Sequence, residues 1–170
     1  MEIKDLPTCS CGAYPEVIID EPDKQEACVL QNLFGAGNSE TSAVLGYIYQ
    51  HYAVSVKEPE IADIFKKIAM CEMRHHDILG TIIARLGGTP YYMNSKCEIF
   101  DMRSVKPTKN IKEILINNIK DENDAIKDYE CAKTKINNHT IIEVLNRIIA
   151  DEQIHAKTLE ALLDYVCFYR

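Results

Sequence analysis

The chain has 170 residues, of which 46% are hydrophobic and 26% are charged, and its formal net charge is −7. These values are normal for a globular domain with a substantial core, and the acidic charge gives no electrostatic support for nucleic-acid binding. No apolar run is long enough to cross a bilayer and no signal peptide is recognisable. We therefore expect a cytoplasmic protein that binds neither nucleic acid nor membranes.

Four helices are expected to follow an irregular N-terminal arm. The prolines at positions 7, 15 and 22 predict an arm over residues 1–22, and residues 23–170 predict one four-helix bundle domain. The helices are expected at about 23–56, 59–86, 108–136 and 139–167. The connections between them are short, long (87–107) and short. This order predicts an all-α bundle with a long crossover between helices 2 and 3.

The second and fourth predicted helices interrupt their apolar seams in the same way. Glu72 and His75 stand in the seam of one, and Glu152 and His155 stand in the seam of the other, 80 positions later (152 minus 72). Spacings of three and four residues place each seam on a single helix face. The matching seam positions are Ile61, Phe65, Ile68, Leu79, Ile82 and Leu86 in the first case, and Ile141, Leu145, Ile148, Leu159, Leu162 and Val166 in the second.

The first and third predicted helices also repeat. The segment ETSAVLGY begins with Glu40 and ends with Tyr47, and ENDAIKDY begins with Glu122 and ends with Tyr129. Residues seven positions apart lie two turns along the same helix face. The chain is therefore expected to consist of two related hairpins, each with two carboxylates and one imidazole in its buried seams.

Buried carboxylates need a source of positive charge. An unpaired one costs several kcal/mol, four together repel each other, and no Lys or Arg occupies these seams. Two divalent cations would supply the four missing charges, and carboxylate with imidazole suits iron or manganese. The alternative is a plain helical bundle in which the four Glu side chains turn to solvent.

On these residues the chain resembles the ferritin-like di-iron carboxylate superfamily, and within it the rubrerythrin-like and bacterioferritin-like proteins. The stretches CEMRHHDILGTIIARLGG (71–88) and RIIADEQIHAKTLEALL (147–163) carry the resemblance most clearly, which extends over about residues 25–167. It implies a ferritin-like four-helix bundle and six metal ligands, with Glu72 and Glu152 bridging two ions. The set is Glu40, Glu72, His75, Glu122, Glu152 and His155.

The same resemblance implies that Tyr47 and Tyr129 are candidate catalytic residues beside the metal ligands, although both also fit as core aromatics. His51 and Asp151 are further candidates for contacts to the ligands. Met73 stands where bacterioferritins have a haem-ligating Met, but it also suits a packing face, and we do not expect haem.

The sequence departs from its relatives in three ways. It has no CxxC pair and so no rubredoxin module. Ala125 stands where rubrerythrins carry an additional Glu, which puts their peroxidase chemistry in question. No fifth helix follows the fourth, so a 24-subunit store is not expected.

The first functional hypothesis is an oxidoreductase with two iron ions that reacts with O₂ or H₂O₂, as a ferroxidase or a peroxide scavenger, with an unknown electron donor. The alternatives are a dimanganese catalase-like enzyme and a non-enzymatic iron-binding or storage protein. By analogy the protein is expected to be a homodimer. Cys9 and Cys11 form a C-x-C in the arm, for which a thiol, metal or partner-docking role stays open.

Overall fold

The computed structural model describes residues 3–168 of the chain. Its α-helices are α1 (Lys24–Gly35), α2 (Glu40–Val54), α3 (Pro59–Arg85), α4 (Ile111–Lys133) and α5 (His139–Phe168). Helix α2 packs along α3, and α4 packs along α5, so the chain forms two hairpins, the first completed by α1. The all-α prediction is confirmed. No helix within residues 3–168 combines the length and apolarity that a bilayer crossing requires.

Local sequence accounts for most helix boundaries. The Asp23 carboxylate accepts hydrogen bonds from the first turn of α1, and the Asn110 side chain does the same for α4. Pro59 opens α3, where its missing N–H is harmless. Gly87 follows the end of α3 with φ 80°, the left-handed conformation that glycine adopts at helix ends.

The predicted single helix over 23–56 is wrong at residues 36–39, where α1 ends and α2 begins. Ala36 and Ser39 are extended, and side chains replace the lost helical hydrogen bonds. Thr41 Oγ1 donates to the Phe34 carbonyl at 2.7 Å, and Ser39 Oγ donates to the Ala36 carbonyl at 2.7 Å. As a result Glu40 is the first residue of α2, where the N-terminal helix dipole favours a carboxylate.

The long connection between α3 and α4 runs against α1. Gln31 Nε2 donates to the carbonyls of Tyr91 (2.5 Å) and Met93 (2.8 Å), which fixes this part of the connection. A Cβ placed on Gly35 would lie 2.5 Å from Tyr91 O and 2.8 Å from Met93 N. Only glycine therefore allows the connection to pass this close to the end of α1.

Gly35→Ala is expected to lower the free energy of unfolding by about 1–3 kcal/mol, because backbone atoms of the connection must move to admit the methyl group. Gly46→Ala is the matched control. It lies inside α2 with no heavy atom within 4 Å of the new Cβ, and should raise stability by about 0.5–1 kcal/mol. Urea unfolding followed by circular dichroism measures both changes. Equal stability of Gly35→Ala and wild type would refute the close approach.

Apolar residues form two clusters, one at each end of the bundle. One contains residues of α1 and of the end of α3, including Leu30 and Leu79, together with Tyr129 and Leu145 from the second hairpin. The other cluster includes Phe65, Leu115 and Leu159. The buried polar residues of α3 and α5 lie along these helices between the positions that form the two clusters.

The arm packs on the bundle. Leu6 is buried, and Thr158 Oγ1 of α5 donates to the Pro7 carbonyl at 2.6 Å. The division into an arm (1–22) and a bundle domain (23–170) stays a prediction.

Candidate metal centre

Helices α3 and α5 each place one Glu and one His on the same face, three residues apart. Glu72 Oε2 lies 3.0 Å from His75 Nδ1, and Glu152 Oε2 lies 3.1 Å from His155 Nδ1. All four side chains are at most 2% exposed. The interruptions in the two apolar seams therefore point into the interior.

The two central carboxylates also reach across to the opposite helix. Glu72 Oε1 lies 2.9 Å from His155 Nδ1, and Glu152 Oε1 lies 3.1 Å from His75 Nδ1. Each carboxylate thus has one oxygen beside each imidazole. Two cations placed at the two Nδ1 atoms would share both carboxylates.

One further Glu approaches each imidazole from the remaining pair of helices. Glu40 Oε2 of α2 lies 3.6 Å from His75 Nδ1, and Glu122 Oε2 of α4 lies 3.7 Å from His155 Nδ1. The ligand atoms form two overlapping groups, within each of which all atoms are within 4.8 Å of one another. These groups are Glu40, Glu72, His75 and Glu152, and Glu72, Glu122, Glu152 and His155.

The two tyrosines join the hairpins to each other. Tyr47 of the first hairpin donates its hydroxyl hydrogen bond to Glu122 of the second, and Tyr129 of the second donates to Glu40 of the first. Both tyrosines are buried. Each outer carboxylate therefore has one oxygen held by a tyrosine and the other directed towards an imidazole.

Burial raises the pKa of Glu40 and Glu122 well above the usual range of a carboxyl group. The negative charge of Glu72 adds to this effect at Glu40, and that of Glu152 adds to it at Glu122. Both shifts favour the neutral form of these two outer carboxyl groups.

The pKa values of the two imidazoles are raised as well, but here the cause is charge and not burial. Burial opposes the charged form of both, but the charges of Glu152 and Glu40 raise the pKa of His75, and that of Glu72 raises the pKa of His155. Burial also opposes ionisation of Glu72, yet the charges and hydrogen bonds of His155 and His75 together outweigh it and lower the pKa of Glu72. These shifts favour protonated imidazoles beside negatively charged central carboxylates.

The far nitrogen of each imidazole is held by an acceptor. His155 Nε2 lies 2.9 Å from the Thr8 carbonyl, and His75 Nε2 lies 3.2 Å from Asp151 Oδ2. A carbonyl oxygen only accepts, so Nε2 of His155 carries the hydrogen. In the neutral ring this leaves the Nδ1 lone pair free to face the carboxylates.

Asp151 is completely buried and is held by several donors. Ser10 N donates to it at 2.5 Å, Tyr14 Oη donates at 2.7 Å, and Arg147 Nη1 lies 2.5 Å away in an ion pair. The predicted contact between Asp151 and a histidine of the centre is thus present. Arg147 and Tyr14 were not predicted from the sequence, although an Arg four residues before an Asp in one helix was a usable signal.

Other sequence candidates lie elsewhere. His51 Nδ1 is 2.8 Å from the Ala62 carbonyl and is not in either ligand group. Met73 is 46% exposed, which gives no support to haem ligation. Cys9 lies close to the centre, and its sulfur lies there beside that of Cys71, which was not predicted as a site residue from the sequence.

The donor set fits two divalent cations. Glu40 Oε2, Glu72 Oε1 and Glu152 Oε1 are buried and accept no hydrogen bond, so each has a lone pair available. Carboxylate and imidazole donors suit manganese and iron alike, and four carboxylates balance two divalent charges. Residues 40, 72, 75, 122, 152 and 155 could therefore hold a dinuclear centre.

A bundle of paired hairpins with a carboxylate and imidazole cluster in its core belongs to the ferritin-like class of proteins. The profile of the Rubrerythrin family matches residues 31–163, and the chain belongs to that family. The resemblance stated from the sequence is confirmed.

Three relatives place the chain within this class. It is 24% identical over 172 residues to a protein of Clostridium acetobutylicum named "Probable manganese catalase", covering 89% of this chain and 76% of that protein. The crystal structure of a manganese catalase from Anabaena superposes with a TM-score of 0.83 at 22% identity, covering 89% and 77% of the two chains. The bacterioferritin of Desulfovibrio desulfuricans superposes with a TM-score of 0.69 at 24% identity, covering 84% and 82%. The predicted ferritin-like fold is confirmed.

Proposed function

We propose that this chain binds two metal ions between its hairpins and is an oxidoreductase that disproportionates hydrogen peroxide, with manganese as the first candidate metal. The observation that carries the proposal is the position of Glu72 and Glu152. Each has one oxygen within 3.1 Å of each imidazole Nδ1, as a carboxylate bridging two ions requires.

The ligand assignment follows from the two groups of donor atoms. Glu40 and His75 would hold one ion, Glu122 and His155 would hold the other, and the two central carboxylates would be shared. The centre as bound is electrically balanced, since four carboxylates meet two divalent charges. When bound, the metals supply the redox chemistry by which two molecules of H₂O₂ give O₂ and two of water.

The chain's own residues position this chemistry. Tyr47 and Tyr129 hold one oxygen of each outer carboxylate, which leaves the other oxygen directed at the centre. The Thr8 carbonyl and Asp151 keep the imidazole hydrogens on Nε2. The two apolar clusters exclude water from both ends of the centre.

Substrate access is provided by a cavity of about 120 Å³ that reaches the carboxylates. Its lining includes the four Glu side chains and both tyrosines, together with the small residues Ala43, Gly46 and Ala125. The arm contacts Nε2 of His155 through the Thr8 carbonyl, whereas the cavity is lined by the carboxylates, so the cavity approaches the centre from its carboxylate side. A cavity of this volume has room for a molecule the size of peroxide.

Ala125→Leu is expected to lower kcat/KM for H₂O₂ by about tenfold or more, because the larger side chain fills the passage. Metal content should stay unchanged, since Ala125 is not in a ligand group. Ala125→Ser, which keeps the side chain small, is the control and should retain activity. Steady-state oxygen release with metal analysis tests this. Unchanged kinetics in Ala125→Leu would mean that peroxide enters elsewhere.

The names of the relatives favour manganese over the iron first expected from the sequence. Both a curated relative and a structural neighbour at high TM-score are manganese catalases by name. The donor types do not distinguish the two metals. A di-iron oxidoreductase acting on O₂ or H₂O₂ is the second candidate, supported by the likeness to a bacterioferritin described with a diiron site.

The test is metal analysis followed by an oxygen measurement. Protein purified without chelator is analysed by mass spectrometry, and the metal-free protein is reloaded anaerobically with either ion. Oxygen release from H₂O₂ without added reductant by the manganese form supports the first candidate. Rapid Fe(II) oxidation with no oxygen release supports the second.

Bound metal without turnover of either kind would overturn the enzymatic proposal and leave metal storage. No metal after reloading with both ions would overturn the dinuclear site itself. The homodimer stays a prediction that light scattering coupled to size-exclusion chromatography can test.

A further inference from the structure

Two thiols lie beside the imidazoles, on the side covered by the arm. The sulfur atoms of Cys9 and Cys71 and a ring nitrogen of His155 all lie within 4.8 Å of one another. Cys71 Sγ is also 3.7 Å from His75 Nε2. Cys71 is buried on α3, whereas Cys9 is exposed on the arm.

The arm holds Cys9 in this position by hydrogen bonds on both sides of it. Before Cys9, the Pro7 carbonyl accepts from Thr158 and the Thr8 carbonyl accepts from His155 Nε2. After Cys9, Ser10 N donates to Asp151. The two sulfurs therefore lie close together because these hydrogen bonds anchor the arm, since Cys71 is fixed within a helix.

These groups do not have the free donors of a further metal site. A cation held by the two thiols would need the nearby imidazole nitrogens, but Nε2 of His155 is engaged with the Thr8 carbonyl, and Nε2 of His75 with Asp151. The Nδ1 atoms face the carboxylates. With the imidazole nitrogens engaged, the two sulfur atoms are the groups of this cluster that are available to react.

We propose that Cys9 and Cys71 are a redox-active dithiol, which a hydroperoxide oxidises to a disulfide that fastens the arm over the two imidazoles. A disulfide requires the sulfurs to approach to about 2.05 Å. Residues 6–23 have no helix or strand to resist the small movement required, and Gly12 gives this segment additional backbone freedom.

The oxidation balances with peroxide alone. The sulfur of the exposed Cys9 attacks one oxygen of H₂O₂, the O–O bond breaks, and the products are a sulfenic acid on Cys9 and one water. The sulfur of Cys71 then displaces the hydroxyl group from Cys9 as a second water and forms the S–S bond. The two thiol hydrogens leave in the two waters. An external dithiol reductant returns both residues to thiols by exchange.

This site goes beyond the proposed function and does not depend on it, because neither sulfur belongs to the two carboxylate ligand groups. The disulfide would tie residues 7–14 to α3 and keep the Thr8 carbonyl and the donors to Asp151 in place. The hydrogen positions on the imidazoles would then be locked while peroxide is present.

The test uses metal-free full-length protein treated with a small molar excess of H₂O₂, denatured and alkylated. Wild type has seven thiols. We expect five alkylated thiols after oxidation (seven minus two), a Cys9–Cys71 cross-linked peptide on digestion, and a return to seven after treatment with dithiothreitol. Hydrogen exchange of residues 6–14 should slow in the oxidised protein. Because no metal is present, failure of the catalase proposal would not affect this result.

Cys9→Ser and Cys11→Ser are the matched pair of variants. Both positions are exposed on the same arm, so both substitutions should leave the fold intact. Cys9→Ser should abolish the cross-link, and Cys11→Ser should retain it. Full alkylation of Cys9 and Cys71 after oxidation of wild type, or a cross-link that forms equally without Cys9, would overturn the proposal.

Discussion

Glu122→Gln is expected to reduce the metal content from about two ions per chain to about one, while the metal-free protein stays as stable as wild type. Burial and the charge of Glu152 raise the pKa of Glu122, which favours the neutral carboxyl group without metal, and the uncharged amide of Gln has nearly the same shape as that form. The amide oxygen can still accept the hydrogen bond from Tyr47. With metal, the lost negative charge removes one ligand from one ion.

Metal analysis measures the metal content, urea unfolding measures the stability of the metal-free form, and oxygen release measures peroxide turnover. Peroxide turnover should fall by at least about 100-fold, since even a partner of a metal ligand is worth about 10–100-fold. Glu130→Gln, exposed on the same helix, is the control and should match wild type in all three. Wild-type metal content and turnover in Glu122→Gln would remove this residue from the site.

Glu72→Gln should have the larger effect, because the oxygens of Glu72 belong to both ligand groups. Both ions are expected to be lost. The metal-free protein should also be destabilised, since the charge of Glu72 pairs with two buried imidazoles. The difference between the two Gln variants distinguishes a central carboxylate from an outer one. Exposed Glu60, on the same helix as Glu72, provides the control substitution.

Removing the metal is expected to lower the melting temperature by roughly 10–20 °C. Two ions present at about 100-fold above their dissociation constants stabilise the native state by about 5 kcal/mol. A domain of this size shifts by about 2–4 °C per kcal/mol. The loss is large because the metal-free protein must balance the charge of its buried carboxylates with protons, held by the carboxyl groups or by the imidazoles.

Differential scanning calorimetry with and without a chelator measures the shift, and dialysis against the metal should reverse it. Glu72→Gln serves as the control, since a variant that binds no metal should melt at the same temperature under both conditions. A wild-type protein that melts identically in both would contradict a dinuclear centre in the core.

The six candidate ligands were predictable because their positions obey the helical period. Glu72 and His75 replace apolar residues in phase with the seam of α3, and the same replacement recurs in α5. The structure brings all six side chains together, and their role as metal ligands stays a prediction. Tyr47 and Tyr129 were predicted as candidates from the same repeat. Their hydrogen bonds to the Glu of the other hairpin were not predicted, because spacing within one helix does not show which helix packs against it.

What the sequence concealed depends on contacts far apart in the chain. The helix breaks at residues 36–39, where the connection passes close to the end of α1 at Tyr91 and Met93. A local sequence pattern does not contain this contact, because the connection lies more than 50 residues later in the chain. The sequence predicted only an irregular arm, because the residues that hold the arm by hydrogen bonds lie far along the chain. Asp151, which accepts from Ser10 N, is an example. The burial of Asp151 likewise depends on donors from two separate segments.

The division of the candidate ligands between two hairpins has a consequence for how the protein is made. His75 leaves the ribosome 80 residues before His155 (155 minus 75), a delay of roughly 4–16 s at ordinary rates of synthesis. During that interval the nascent first half carries Glu40, Glu72 and His75 without the residues that complete either ligand group. If the proposed centre forms, loading with metal follows translation, and cells that limit the metal would accumulate complete chains without metal.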